Sequence, residues 1–138
     1  MALTNDYFAE VRKRLLEDAT VSSLVGGRVY EAQIAEVVDA GGIIEYPCVN
    51  FAIDFGLRDT AANELVEGTY RIWTWSNQSY EQAFEVYDAV YAVLHRIDLH
   101  GDTVHGVQWE IMSPLNILDK DNHTYGVVSR WTLRIVKR

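Results

Sequence analysis

The chain has 138 residues, of which 49% are hydrophobic, 23% charged and 12% aromatic, the size and balance of one globular domain rather than of a disordered or membrane-spanning chain. At this length folding buries roughly 68% of the surface that the unfolded chain exposes, enough for a real core. A net charge of −8 argues against a sequence-independent nucleic-acid binder and against attraction to anionic membranes, since both need clustered Lys and Arg.

The first element in chain order is an amphipathic helix, capped by Thr4 or Asn5, with Phe8, Val11, Leu15 and Leu16 on one face and Glu10, Arg12, Lys13, Arg14 and Glu17 elsewhere. A second short helical turn follows, capped by Thr20 and closed by Gly26 and Gly27, and then a strand at Arg28 to Glu31. Residues 34–46, IAEVVDAGGIIEY, fit neither period and read as a loop. From Pro47 the period becomes two: Val49, Phe51, Ile53 and Phe55 face one way, and Cys48, Asn50, Ala52 and Asp54 the other. LRDTAANELVEG then links this strand to TYRIWTWS as a long hairpin. In the second strand Tyr70 and Ile72 share a face, while Trp73 and Trp75 share the opposite one with Arg71.

Ser79 and Gln82 match a capping box at the start of a long helix. Its apolar residues form two neighbouring stripes: Tyr80, Phe84, Tyr87, Tyr91 and Leu94, and beside them Ala83, Val86, Val90, Val93 and Ile97. A stripe this wide has two things to cover. DLHGD reads as a turn, and Val107, Trp109 and Ile111 alternate with Gln108 and Glu110 in the strand after it. Pro114 and LDKDNHTYG interrupt before a last strand in which Val127, Trp131, Leu133 and Ile135 alternate with Arg130, Thr132 and Arg134. Helix, strands, helix, strands is an α+β order, expected as a mostly antiparallel sheet of four to five strands with the long helix and the N-terminal helix on one face, in a single domain over 1–138.

Charge is uneven along this order. Eleven Asp or Glu face three Arg between Arg28 and His95, whereas the last nine residues carry Arg130, Arg134, Lys137 and Arg138 with no acid, so a basic patch is expected on an acidic body. The single cysteine, Cys48, cannot make an internal disulfide, so the fold does not depend on an oxidising compartment. The N-terminus has no uninterrupted apolar run, and neither a signal peptide nor a membrane anchor is expected.

Catalytic and metal constellations are weak. His95, His100 and His105 lack Cys partners or a His-Glu-x-x-His pattern and read as turn and surface histidines, so no metal is expected. Asp119 to Asn122, DKDN, starts like a calcium loop but has no glycine at the sixth position, and Arg130 stands where the twelfth-position Glu should be. Cys48 has no base assignable to it, Ser76 and Ser79 sit in no nucleophile elbow, and Glu64 and Glu67 lie in a solvated loop. No enzyme and no cofactor is expected. The aromatic row is the stronger signal, because Trp and Tyr are enriched at protein contacts. At least one of Trp73 and Trp75 is expected to touch another subunit.

The layout resembles the tail-completion or tail-terminator family, the head-tail joining proteins of long-tailed bacteriophages and gene-transfer particles. The features that carry the resemblance are the N-terminal helix running into VSSLVGGRVYEA, with Gly26, Gly27, Arg28, Val29 and Tyr30 as its small-residue turn, and the Pro-led strand YPCVNFAID. With them go YRIWTWSNQSYEQAFEVYDAVYAVL, with Tyr80 and Ala83 at the helix start, and DNHTYGVVSRWTLRIV, with Asp121 and Tyr125 before the last strand. The IAEVVDAGGIIEY insert departs from the family, which often crosses this region with a shorter Pro-containing loop.

The resemblance implies a structural virion protein, made in the host cytoplasm and located in the tail or neck. It implies a ring, expected as a hexamer, that caps the tail tube protein, ends tail growth and meets the head-tail connector or stopper protein, with DNA passing through unbound. An acidic body suits such passage, and surplus apolar surface suits heterologous ring contacts. The segments Leu57 to Gly68 and Ser113 to Thr124 are expected to project. The expected inter-subunit or assembly contacts are therefore Trp73, Trp75, Tyr80, Arg58, Glu64, Glu67, Asp119 and Asp121. The rival readings are another neck component, a dimeric adaptor, or a small α+β enzyme or ligand-binding domain with His95, Tyr87 and Trp109 converging in a pocket.

Overall fold

The computed structural model describes residues 2–53, 58–59 and 65–137. In chain order the elements are α1 (Ala2–Glu17), α2 (Ala19–Val25), β1 (Val29–Tyr30), α3 (Ile34–Asp39), β2 (Cys48–Ile53), β3 (Arg58–Asp59), β4 (Leu65–Ser76), α4 (Tyr80–Leu94), β5 (Ile97–His100), β6 (Val104–Asp119) and β7 (Thr124–Lys137). The strands form one sheet in the order β1-β2-β4-β7-β6-β5, with β3 added to β4.

This is an α+β fold, but among the described residues the sheet has seven strands instead of four or five, and it is mixed: β1 runs parallel to β2 while the other pairs are antiparallel. Two-residue strands such as β1 and β3 are too short to show a period, and β5 coincides with the DLHGD segment expected as a turn.

Directly paired residues project from the same face of a sheet, so the register sorts the side chains. Val49 and Phe51 of β2, Tyr70, Ile72 and Thr74 of β4, and Val127, Ser129, Trp131, Leu133 and Ile135 of β7 lie on the face the helices cover. Against them pack Tyr7, Phe8, Val11 and Leu15 of α1 and Val86, Val90 and Leu94 of α4. Phe8, Phe51 and Tyr70 form the aromatic centre, with ring centroids 5.2 to 6.3 Å apart, and each such side chain contributes about 1.5–3 kcal/mol by leaving water. The long helix buries one side of its stripe fully, through Ala83, Val86, Tyr87, Ala89, Val90 and Leu94, and leaves Phe84, Tyr91 and Val93 half-buried.

Local chemistry moves several boundaries. Helix α1 begins at Ala2, before the expected cap, and α2 is capped by Asp18, whose Oδ2 accepts from the Val21 amide at 3.0 Å, not by Thr20. Gly26 closes α2 with φ 61°, a conformation that glycine adopts without a Cβ penalty. Ser79 does cap α4, accepting from the Gln82 amide at 3.1 Å, but the box is half-formed because the Gln82 side chain accepts from Ser76 Oγ. Helix α4 ends at Leu94, so Ile97 belongs to β5.

Ile34–Asp39 is a helix, not a loop. None of its residues is buried, so it has no core-facing stripe for a sequence reading to find. Within the segment expected as a linker, Leu65 to Gly68 already pair with β7. Phe55, Asp54 and most of Leu57–Glu64 lie outside the described residues.

Candidate functional site

The face of the sheet away from the helices is the candidate site, and β6 decides its character. Two β-bulges interrupt the pairing of β6 with β7, one between Glu110 and Met112 and one between Met112 and Leu115. Each inserts an extra residue and so reverses which parity faces outward. Trp109, Met112, Leu115 and Ile117, opposite Thr132, Arg130, Val128 and Gly126, consequently all project from the open face although their spacing obeys no single period. Pro114 sits in the second bulge, where a missing ladder N–H is tolerated.

Three rows run across the open face. Ala52, Arg71, Arg130 and Met112 form one; Asn50, Trp73, Val128 and Leu115 the next; Cys48, Trp75, Gly126 and Ile117 the third. The Trp75 indole donates through Nε1 to Asn50 Oδ1 at 2.8 Å, and Asn50 Nδ2 donates to the Ala32 carbonyl at 3.0 Å. Trp75 and Ile117 close over Gly126, so that a Cβ there would lie 2.7 to 2.8 Å from both side chains. Trp73 and Trp75 are each half-buried by their own chain, and Tyr70 and Ile72 are the pair under the helices. Apolar surface nonetheless remains: Leu115 is 53% exposed, Ile111 47%, Trp109 38% and Met112 37%, and Leu118, on the other face at the hairpin end, is 49% exposed. A patch of this kind, rimmed by charge, is how contact surfaces differ from ordinary exteriors.

The other expected contact residues are dispersed. Tyr80 packs edge-on against Tyr125, with centroids 5.0 Å apart, at the outer end of the β6–β7 hairpin. Glu67 accepts from Arg134 through Nε at 2.9 Å and Nη2 at 2.6 Å, Arg58 stands in β3 opposite Glu67, and Glu64 lies outside the described residues. Asp119 accepts from the amides of Asp121 and Asn122 at 3.1 and 3.2 Å and from Asn122 Nδ2 at 2.8 Å, which holds its carboxyl below the ordinary carboxylate value. The DKDN segment is thus a self-bonded polar turn, with Asp121 exposed. The segment Ser113–Thr124 is mostly paired hairpin rather than loop. Sequence reasoning missed Met112, Leu115 and Leu118, and Pro114 inside an apolar run was the signal that a bulge reorders the faces.

Alternative chemistry finds little support in the geometry. Tyr87 donates to Glu110, and Glu110 and His95 meet through the Glu110 amide, which donates to His95 Nδ1 at 3.2 Å, all on the helix side; Trp109 projects from the opposite face, so the expected convergence of His95, Tyr87 and Trp109 does not occur. Burial pushes the Tyr87 phenol up, helped by its bond to Glu110. Burial likewise pushes the Cys48 thiol up to about 12, with Arg28 pulling in the other direction, so it is no thiolate nucleophile at neutral pH. His100 and His105, expected as turn and surface histidines with no metal, come together with Asp98 at the edge of the open face. Asp98 is hydrogen-bonded to His105, which holds its carboxyl below the ordinary value.

No family model matches the sequence, and no curated protein does. Solved structures do. A chain from the virion of a native gene transfer agent particle superposes with a TM-score of 0.76 at 18% identity, over 99% of this chain and 98% of that one. The gp17 protein of bacteriophage SPP1 superposes with a TM-score of 0.55 at 18% identity, over 98% of this chain and 90% of that one. Both likenesses show that this chain shares their fold over nearly its whole length.

Proposed function

We propose that this chain is a structural virion protein of the tail-completion type, which assembles into a ring that caps the tail tube, ends tail growth and joins the tail to the head connector. The observation that carries the reading is the shared fold with a chain of a gene-transfer virion over nearly the full length of both. A likeness that leaves almost no part of either chain unmatched points to one assembly role for the whole fold rather than a grafted domain.

The open sheet face supports the same reading. Met112, Leu115 and Trp109 are too exposed for a sheet that is finished as a monomer, and Leu118 extends the apolar surface around the hairpin end. In a ring, each subunit offers one surface to the next subunit's different surface, which closes by rotation. The apolar strip of β6 is one half of that contact, with Trp73 and Trp75 on the same face, the Glu67–Arg134 pair at its rim and Tyr80 at the hairpin end on the other face. A hexamer is the expected closure, with the tail tube protein on one side, the connector or stopper protein on the other, and DNA passing through an acidic bore without being gripped. The role needs no catalytic centre.

Electron microscopy of particles made without this chain tests the proposal. Tails of uncontrolled length, or tails that fail to join heads, are the expected result; tails of normal length joined to heads would overturn it.

A further inference from the structure

We infer that Asp98, His100 and His105 form a binding site for a divalent transition-metal ion of the zinc class at the β5 edge of the sheet. The strand pairing builds it. Asp98 and His100 stand two apart on β5 and so share a face, and His105 on β6 pairs directly with His100. Two ligands at i and i+2 on one strand and a third across from the second make a three-cornered set that leaves the remaining coordination positions open to solvent.

Distances agree with this geometry. The three ligand atoms lie within 4.8 Å of one another. His100 Nε2 is 3.6 Å from Asp98 Oδ2, and His105 Nε2 is hydrogen-bonded to Asp98 Oδ1. Ligands held 2.0–2.1 Å from a tetrahedral zinc stand about 3.3 Å apart, so the three ligand atoms are within side-chain reach of one ion, which would replace the hydrogen bond between His105 and Asp98. The two imidazoles are stacked, with centroids 4.1 Å apart and planes inclined by 12°, so binding also requires one ring to tilt until both in-plane nitrogen lone pairs point at the shared ion.

The turn that carries them is fixed from outside. Gly101 N donates to the Val104 carbonyl at 2.8 Å, Thr103 Oγ1 donates to Asp6 of α1 at 3.0 Å, and Glu10 of α1 lies so close to Gly101 that a Cβ there would meet it at 2.7 Å. Strands held this way preorganise their ligands. Two imidazoles and one carboxylate favour Zn²⁺, Co²⁺, Ni²⁺ or Cu²⁺ over Mg²⁺ and Ca²⁺, which prefer all-oxygen shells. Because the third histidine of the segment, His95, is turned to the helix side and stacked on Tyr91, the set is limited to these three. The inference stands whether or not the chain forms a ring.

The test is titration of the full, untagged, chelator-stripped chain with ZnCl₂ by calorimetry and with CoCl₂ by visible absorption. One saturable equivalent per chain is expected, with cobalt bands in the visible. His105→Ala, His100→Ala and Asp98→Asn should each weaken binding by at least the roughly 10- to 100-fold that loss of an outer-shell partner costs. His123→Ala, on the distant β6–β7 turn, should change nothing. All these side chains are on the surface, and unchanged circular dichroism of each variant establishes that it is folded. Absence of saturable binding, or equal affinity in the wild type and His105→Ala, overturns the inference.

Discussion

The hairpin of β6 and β7 is one continuous ribbon whose two halves meet opposite fates. In the inner half Gly106 fits beneath the Tyr7 ring, Gln108 is fully buried and accepts from the Tyr7 hydroxyl at 2.7 Å, and Trp131, Leu133 and Ile135 are core. In the outer half Leu115 and Leu118 project from opposite faces of the same strand, and both are about half exposed. Gln108 is buried because it faces the helices and lies under Tyr7 of α1, whereas Leu115 projects from the face that α1 and α4 do not cover and Leu118 stands at the hairpin end. A strand's hydrophobicity therefore does not decide what it buries; the element packed against it does.

Four measurements break or sharpen that contrast. Trp131→Ala empties a fully buried site of the inner half and should cost about 3–5 kcal/mol in denaturant unfolding, and a loss under about 1 kcal/mol would mean that this half is not core. Gly106→Ala places a Cβ 2.4 Å from the Tyr7 ring and 3.0 Å from the Arg134 carbonyl, an overpacking cost of about 1–3 kcal/mol. Gly126→Ala in the outer half meets only the Trp75 and Ile117 side chains, so its loss should be the smaller of the two. Arg134→Ala removes the exposed pair with Glu67 and should cost no more than about 1 kcal/mol, shrinking further in high salt.

The smallest effect on folding is expected from Leu115→Asp combined with Leu118→Asp. Both side chains are exposed, so stability should stay within about 0.5 kcal/mol per site. Assembly should nevertheless fail, as seen by electron microscopy of the particles produced. Normal particles from a folded double variant would show that the outer half is not a contact.

Much of the fold was legible because its signals are local. The apolar face of α1 with Phe8, Val11 and Leu15, the Ser79 cap of α4, the alternation in β2 and β7, and the opposition of Tyr70 and Ile72 to Trp73 and Trp75 are all consequences of fixed periods, 3.6 for helices and 2 for strands. Those residues lie where the periods put them. Elements that were misread lack such a period: β1 and β3 are two residues long, α3 buries nothing, and β5 is concealed in a segment rich in polar and turn-forming residues.

The candidate site was legible only in part. The tryptophan pair announced an apolar row, yet the most exposed apolar residues of β6, Leu115 and Leu118, stand in a segment whose Pro114 reads as an interruption and is in fact a bulge. By itself the sequence determined the α+β class, the acidic balance and the surplus of aromatic side chains, because composition and short-range spacing carry that information. Only the tertiary structure decided which face stays open and that Asp98, His100 and His105 meet. Both depend on cross-strand register and on which face the helices pack against, and those are set by contacts between residues far apart in the chain.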